Sequence, residues 1–295
     1  KWARSVRTGL FRYPIPNYQL PTTPNSQLPT MQVPDGIGDL KVRWSLTLSA
    51  PLESADASCS WVAFAERADG TRAVLKLGLP HMEAAHEIQG LRVWDGDGIV
   101  RLLEADEDLN AMLLERCEPG TPLRELPETE QDIVIARLLR RLWRKPHPPH
   151  TFRPLSAMVE HWAAETNASA PHWLDGGLVR DGLRVFEELS QPSIDDVLLA
   201  TDLHAGNVLR AEREEYLAID PKPFIGDRAY DATQHLLNCR HRLIVSTDST
   251  LHRFSDLLDV DVERVRLWMF ARAAAGPRDV WDEASTAFAK LLAPK

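Results

Sequence analysis

The sequence predicts an α+β protein in two lobes, a small antiparallel β-sheet carrying one helix followed by a larger, mainly helical lobe. Three observations lead there. Between Trp44 and Cys117 the chain runs in short segments of alternating apolar and polar residues separated by turn-rich stretches. Beyond Glu118 the apolar spacing lengthens to the helical period of about 3.6. The polar residues suited to chemistry fall on loops after short apolar runs, within residues 198–231.

Residues 1–30 stand apart. YPIPNYQLPTTPNSQLPT has no helix or strand period and no continuous apolar segment of a signal peptide. It is expected to be a weakly ordered extension or a segment added to the natural chain, with Met31 as the natural start; an interaction arm is the alternative. RWSLTLS, SWVAFAER and RAVLKLG then predict strands, separated by the turn segments ESADAS and ADG. LPHMEAAHEIQGLRVW begins after a proline and places Met82, Ala85, Ile88 and Trp94 roughly along one helical face. IVRLLEAD and NAMLLERC predict two further strands.

In the second lobe, ETEQDIVIARLLRRLW aligns Ile133, Ala136, Leu139 and Trp143 as the inward face of a helix that HPPH stops. Further helices are expected at 155–167, 177–190, 229–243, 262–275 and 280–293, with short strands at VLLAT, NVLRA and YLAID.

Composition narrows the function classes. The 295 residues are 44% hydrophobic, enough for a large core, and no apolar run approaches the length of a membrane span. A net charge of -9 disfavours nucleic acid and anionic membranes and favours a cationic small ligand. Cys59, Cys117 and Cys239 are odd in number and lack a CxxC pair, so neither a disulfide framework nor a structural zinc site is expected. A reducing, cytoplasmic compartment suits them.

The chemistry concentrates in LLATDLHAGNVLRAEREEYLAIDPKPFIGDRAYD. Asp202 and Asn207 form a D-x-x-x-x-N element between apolar strands, and Asp220 follows another strand. Phosphoryl transfer requires such groups: a carboxylate to orient the attacking hydroxyl and accept its proton, and an amide oxygen with a second carboxylate to hold magnesium against phosphates. Alone, Asp202 and Asn207 could merely shape a loop. Lys76 strengthens the chemical reading, because a charge between Leu75 and Leu77 in a predicted strand needs a reason. Such a lysine can reach the phosphates of a nucleotide; the plainer alternative is an outward-facing strand residue. Glu87 on the next helix is the preferred ion-pair partner, and Glu83, one turn earlier, is the other candidate.

AVLKLG, WDGDGIVRLLEAD, LLERCEPGTPL, ATDLHAGNVL and AIDPKPFIGDRAYDATQHLLNC together resemble the streptomycin 6-kinase and hydroxyurea phosphotransferase group of the aminoglycoside phosphotransferases, from about Met31 to the C terminus. The resemblance implies a protein-kinase-like two-lobed fold, ATP as donor with Mg2+, and an N-terminal nucleotide-binding lobe at 31–116 followed by a catalytic and acceptor-binding lobe at 117–295. It implies Asp202 as catalytic base, Asn207 and Asp220 as metal ligands, and Lys76 held by Glu87. Departures from the protein-kinase pattern are plain. There is no G-x-G-x-x-G, so backbone N–H groups near Ser58 and Ser60 would cover the phosphates; Asp220 is followed by Pro221 and Lys222; and no A-P-E segment closes an activation loop. Main-chain groups at Glu115 and Cys117 would meet adenine at the connector.

His204 and Lys222 adjoin this constellation, with loop packing and solvent exposure as their plainer readings. Asp227 and Asp231 are read as fixing the loop and the following helix, Asp231 at a helix N-terminus. For a cationic acceptor the shortlist is Asp175, Glu187, Glu188, Asp282 and Glu283 with Trp162, Trp173, Trp268 and Trp281. The expected function is transfer of the ATP γ-phosphate to a hydroxyl of an aminoglycoside, foremost streptomycin. A kinase of hydroxyurea or another metabolite, and a nucleotide-binding pseudokinase, are the alternatives.

Overall fold

Alternation in the first lobe resolves into antiparallel pairing. The computed structural model describes residues 36–52, 60–78 and 85–294. Strands β1 (Leu46–Pro51), β2 (Ser60–Arg67), β3 (Arg72–Gly78), β4 (Leu102–Asp106) and β5 (Ala111–Glu115) form one sheet in the order β1-β2-β3-β5-β4. Because side chains alternate across a strand, Ala73, Leu75 and Leu77 of β3 enter a core with Trp61, Leu113 and helix α1 (Ile37–Arg43). Val74 on the opposite face packs into a second core, which runs through helix α2 (Glu87–Trp94) into the C-terminal lobe. Both faces of the sheet are covered.

Helix α1 was not expected, since its seven residues carry too few apolar positions to show a period. Helix α2 is shorter than expected among the described residues. His86 takes a left-handed conformation (φ 74°), Ala85 is exposed, and the buried face is Glu87, Ile88, Gly90, Leu91 and Trp94. Met82 and Glu83 lie outside the described residues.

The second lobe contains α3 (Glu128–Leu142), α4 (Leu155–Ala168), α5 (Gly176–Leu189), α6 (Arg228–Asn238), α7 (Arg240–Val245), α8 (Thr247–Leu258), α9 (Val262–Ala275) and α10 (Glu283–Leu292). Two small antiparallel pairs are set among them: β6 (Val197–Leu199) with β9 (Phe224–Gly226), and β7 (Val208–Arg210) with β8 (Tyr216–Ala218). The single helix expected at 229–243 is broken at Cys239, and α8 and β9 were not expected. Leu251, Phe254 and Leu258 do give α8 a buried stripe, at spacings of three and four among polar neighbours.

On α3 the expected face is rotated. Ile133 is 51% exposed, while Asp132, Ile135, Ala136, Leu139 and Leu142 are buried. The cause is a buried charge. Asp132 accepts from the two terminal Arg242 nitrogens at 2.6 and 2.7 Å, from Arg253 Nε at 3.2 Å, and bonds His235 Nε2 at 2.9 Å, joining α3 to α6, α7 and α8. Ligand atoms of Asp132, His235 and Cys239 lie within 4.8 Å of one another. With a guanidinium on both carboxylate oxygens, the cluster is an ion-pair network and not a cation site.

The lobes are tied by specific bonds. Trp94 Nε1 donates to the Leu142 carbonyl at 2.8 Å, Val100 N–H to the Ala218 carbonyl at 3.0 Å, and Arg213 to the Glu115 carboxylate at 2.9 Å and the Ile99 carbonyl at 3.0 Å. No helix among the described residues is long and apolar enough to cross a membrane.

Gly90 provides a test of this junction. A Cβ there would lie 2.5 Å from Pro223 Cγ and 2.9 Å from the Trp94 ring. A Gly→Ala change inside a helix ordinarily stabilises by about 1 kcal/mol. Here overpacking reverses the sign, and Gly90→Ala should destabilise by about 1–3 kcal/mol in equilibrium urea unfolding.

Candidate active site

Strand alternation and helix position bring the charges together. Lys76 shares the face of Val74 and stands opposite Met112 of β5, so its side chain enters the interior toward α2 and the C-terminal lobe. Glu87 opens α2 and is 2% exposed. Lys76 Nζ donates to Glu87 Oε1 at 2.6 Å and Oε2 at 2.7 Å, and also to Asp220 Oδ1. Lys222 Nζ reaches the same Asp220 oxygen at 3.0 Å.

Burial works against each of these charges; pairing outweighs it for Lys76, Asp220 and Lys222, whereas burial keeps Glu87 above the usual carboxylate range against the pull of the Lys76 ammonium. Desolvation alone would depress Lys76, but Asp220 and Glu87 hold it above the usual lysine range. Desolvation alone would raise Asp220, but the Lys76 and Lys222 ammonium groups hold it well below the usual carboxylate range. Lys222 is likewise raised against its burial, by Asp220 first and then Asp202.

The loop after β6 carries Asp202 and is held in an uncommon conformation. Thr201, a β-branched residue, has φ 51° and Asp220 has φ 53°. Asp231, in the first turn of α6 and 1% exposed, accepts from the Ala200 N–H at 3.1 Å, the Thr201 N–H at 2.8 Å and Trp143 Nε1 at 2.9 Å. Thr201 Oγ1 donates to the Lys222 carbonyl at 2.6 Å, and Lys222 N–H to the Ala200 carbonyl at 2.8 Å. Strain of this kind persists where surrounding bonds over-determine the backbone. Burial pushes the Asp231 carboxyl up to about 6, although the indole and two amides favour its charged form. Burial also raises Asp202, with the Lys222 ammonium and His204 opposing it.

Asn207 lies on the same loop. Its Nδ2 donates to the Asp202 carbonyl at 3.0 Å, and its carbonyl accepts the Ile219 N–H at 2.9 Å, which brings it beside the residue preceding Asp220. The amide nitrogen being so used, the amide oxygen is the group left to face a cation. Both lysines bond Oδ1 of Asp220, so its second oxygen is the corresponding donor there. Two hard oxygen donors on adjoining loops fit magnesium.

Other expected residues fall as follows. Ser60 begins β2 opposite Gly78, two positions along the strand from the partner of Lys76; Ser58 lies outside the described residues. The Glu115 N–H donates to the Arg101 carbonyl at 2.9 Å, and its carboxylate accepts from the Arg101 N–H at 3.0 Å and from Arg213 at 2.9 Å, so the side chain serves the lobe junction. Cys117 follows β5 on the connector, its thiol pushed up to about 12 by burial. His204 Nδ1 accepts the Gly206 N–H at 3.1 Å within its own loop. Of the acceptor shortlist, Asp175 and Asp282 cap α5 and α10, and Trp162 and Trp268 are core residues. Asp227 caps α6 and accepts from Trp268 Nε1 at 2.6 Å.

Asp231 was expected to fix its own loop and helix; that it holds the Asp202 loop together with Trp143, and that Lys222 is buried, was not legible beforehand.

Lys76→Met would leave Glu87 buried without a counter-charge and should cost about 3–5 kcal/mol in unfolding free energy. Lys76→Met combined with Glu87→Gln should recover most of that stability, yet leave binding of a magnesium nucleotide, followed by calorimetry, as weak as in the single variant.

Residues 43–283 match the family model described as aminoglycoside/hydroxyurea antibiotic resistance kinase. The chain is 37% identical over 251 residues to the streptomycin 6-kinase of Streptomyces griseus, covering 81% of this chain and 80% of that one. It is 36% identical over 247 residues to the hydroxyurea phosphotransferase of Kitasatospora aureofaciens, covering 81% and 71%. In fold it is similar to a choline/ethanolamine kinase family protein from Mesorhizobium loti, with a TM-score of 0.60 at 14% identity over 87% of this chain and 94% of that one. The choline kinase of Streptococcus pneumoniae gives 0.59 at 13% identity over 86% and 90%.

Proposed function

Because the chain belongs to the aminoglycoside/hydroxyurea antibiotic resistance kinase family, we propose that it transfers the γ-phosphate of ATP to a hydroxyl of an aminoglycoside, with streptomycin the first candidate. The observation that carries this reading is the convergence of Lys76, Glu87 and Asp220 at hydrogen-bonding distance beside the loop of Asp202 and Asn207. The two streptomycin 6-kinases at 37% and 36% identity favour that acceptor class, and a net charge of -9 favours a cationic substrate.

In this reading residues 31–116 form the nucleotide lobe and 117–295 the catalytic and acceptor lobe. Lys76, fixed by Glu87, binds nucleotide phosphate, and the backbone at Ser60, where β2 begins, covers it. Main-chain groups at the connector, around Glu115 and Cys117, meet the adenine. Asp220 and Asn207 hold Mg2+, which when bound neutralises charge on the β- and γ-phosphates. Asp202 orients the acceptor hydroxyl and takes its proton as the oxygen bonds to the γ-phosphorus; the bond from that phosphorus to the bridging oxygen breaks, and ADP leaves with the electron pair.

Release of ADP should be stimulated by streptomycin in a panel that also contains other aminoglycosides and hydroxyurea. Stimulation by hydroxyurea alone would reassign the acceptor, and none by any member would remove the proposed activity. Asp202→Asn should lower kcat by about 10²–10⁴-fold with nucleotide affinity nearly unchanged. Since a base must be deprotonated and burial raises Asp202, the acid limb of kcat should lie above the ~3.9 of an exposed aspartate. A rate independent of pH on the acid side would remove Asp202 from that role.

A further inference from the structure

Among the described residues the buried lysines are Lys76 and Lys222, and the roles above use only the first. Lys76 is shared between the carboxylates of Glu87 and Asp220, so Lys222, on the same Asp220 oxygen, is the ammonium that balances the second negative charge until a metal cation takes over that task. That second ammonium is held with its side chain 10% exposed, at the desolvation cost that any buried charge carries.

The backbone gives Lys222 little freedom. Its N–H donates to the Ala200 carbonyl at 2.8 Å and its carbonyl accepts Thr201 Oγ1 at 2.6 Å, so it is joined on both sides to the residues just before Asp202. Pro221 and Pro223 flank it, and each restricts the local chain further. The ammonium sits on Asp220, and the next carboxylate whose charge it feels is Asp202. Its ammonium is thus on the carboxylate proposed for the metal, while its backbone is bonded to the residues that precede the carboxylate proposed for the proton.

We propose that Lys222 is a catalytic residue whose ammonium leaves Asp220 for the oxygens of the γ-phosphoryl group when the magnesium nucleotide enters, and holds that group as it passes to the acceptor. This rests on the kinase reading above. A cation on Asp220 repels the neighbouring ammonium, while the phosphoryl brings negative charge into the space that faces Asp202. The four-carbon stem lets the ammonium swing while its backbone stays fixed. Lys76, clamped by both Glu87 oxygens, lacks that freedom and serves the nucleotide whether or not a γ-phosphate is present.

The test compares calorimetric binding of Mg·ADP with that of a magnesium complex of a non-hydrolysable β,γ-imido ATP analogue, in the full chain. In Lys222→Met the triphosphate analogue should lose about tenfold or more in affinity, the equivalent of one charge-assisted hydrogen bond, while ADP stays within about twofold. Turnover with an accepted substrate should fall about 10²–10³-fold. Equal loss for both nucleotides, or an unchanged ratio between them, would overturn the role and leave Lys222 a partner of Asp220. Lys222→Gln, which keeps the stem and a hydrogen-bond donor without the charge, carries the same expectations should Lys222→Met prove unstable. Wild-type protein that binds neither nucleotide would refute the kinase reading itself, and this role with it.

Discussion

An ammonium taken out of water must be met by a carboxylate, and here that requirement holds the two lobes in register. The cost of moving one such ion into the interior is several kcal/mol even after relaxation. Lys76 comes from the sheet, Glu87 from helix α2 between β3 and β4, and Asp220 from a loop of the other lobe, 144 residues further along the chain. Any displacement of one lobe that separated these groups would strand a charge. The ion pair is therefore as much a constraint on lobe geometry as a feature of the site.

A second layer of bonds shapes the loop that bears Asp202. Asp231 spends its carboxylate on two backbone amides and an indole, which allows Thr201 a left-handed conformation that a β-branched residue otherwise avoids. Thr201 in turn bonds the Lys222 backbone, so the loop carrying the proposed base and the loop carrying the proposed metal ligand form one unit. Helix α6 anchors that unit in the core through Tyr230, which packs edge-on against Trp268 at 5.1 Å between ring centroids. The polar site is rigid because an apolar core lies directly beneath it.

The distribution of charge also separates structural acid groups from those available to ligands. Asp132, Asp175, Asp227 and Asp282 each accept hydrogen bonds that a helix end or a buried guanidinium requires. The acidic excess of the sequence is thus partly consumed by the fold. Asp202 and Asp220 differ: neither caps a helix, and one is raised by burial while the other is lowered by two ammonium groups. Unlike environments for two nearby carboxylates suit unlike tasks.

Much of this was legible in local text. A period of two followed by a period near 3.6 determined a sheet lobe and a helical lobe, and a lysine in the middle of an apolar strand, with D-x-x-x-x-N and a later carboxylate after strands, determined where polar chemistry would lie. Those signals depend only on neighbours within a few residues. Tertiary structure alone decided that Lys76 faces the lobe junction, that Asp132 turns the inward face of α3, that Asp231 holds the Ala200 and Thr201 amides, and that Lys222 is buried. Each of those outcomes is a pairing between residues far apart in the chain. Hydrophobic period records burial of apolar groups, but it carries no record of which distant partner makes burial of a charge affordable.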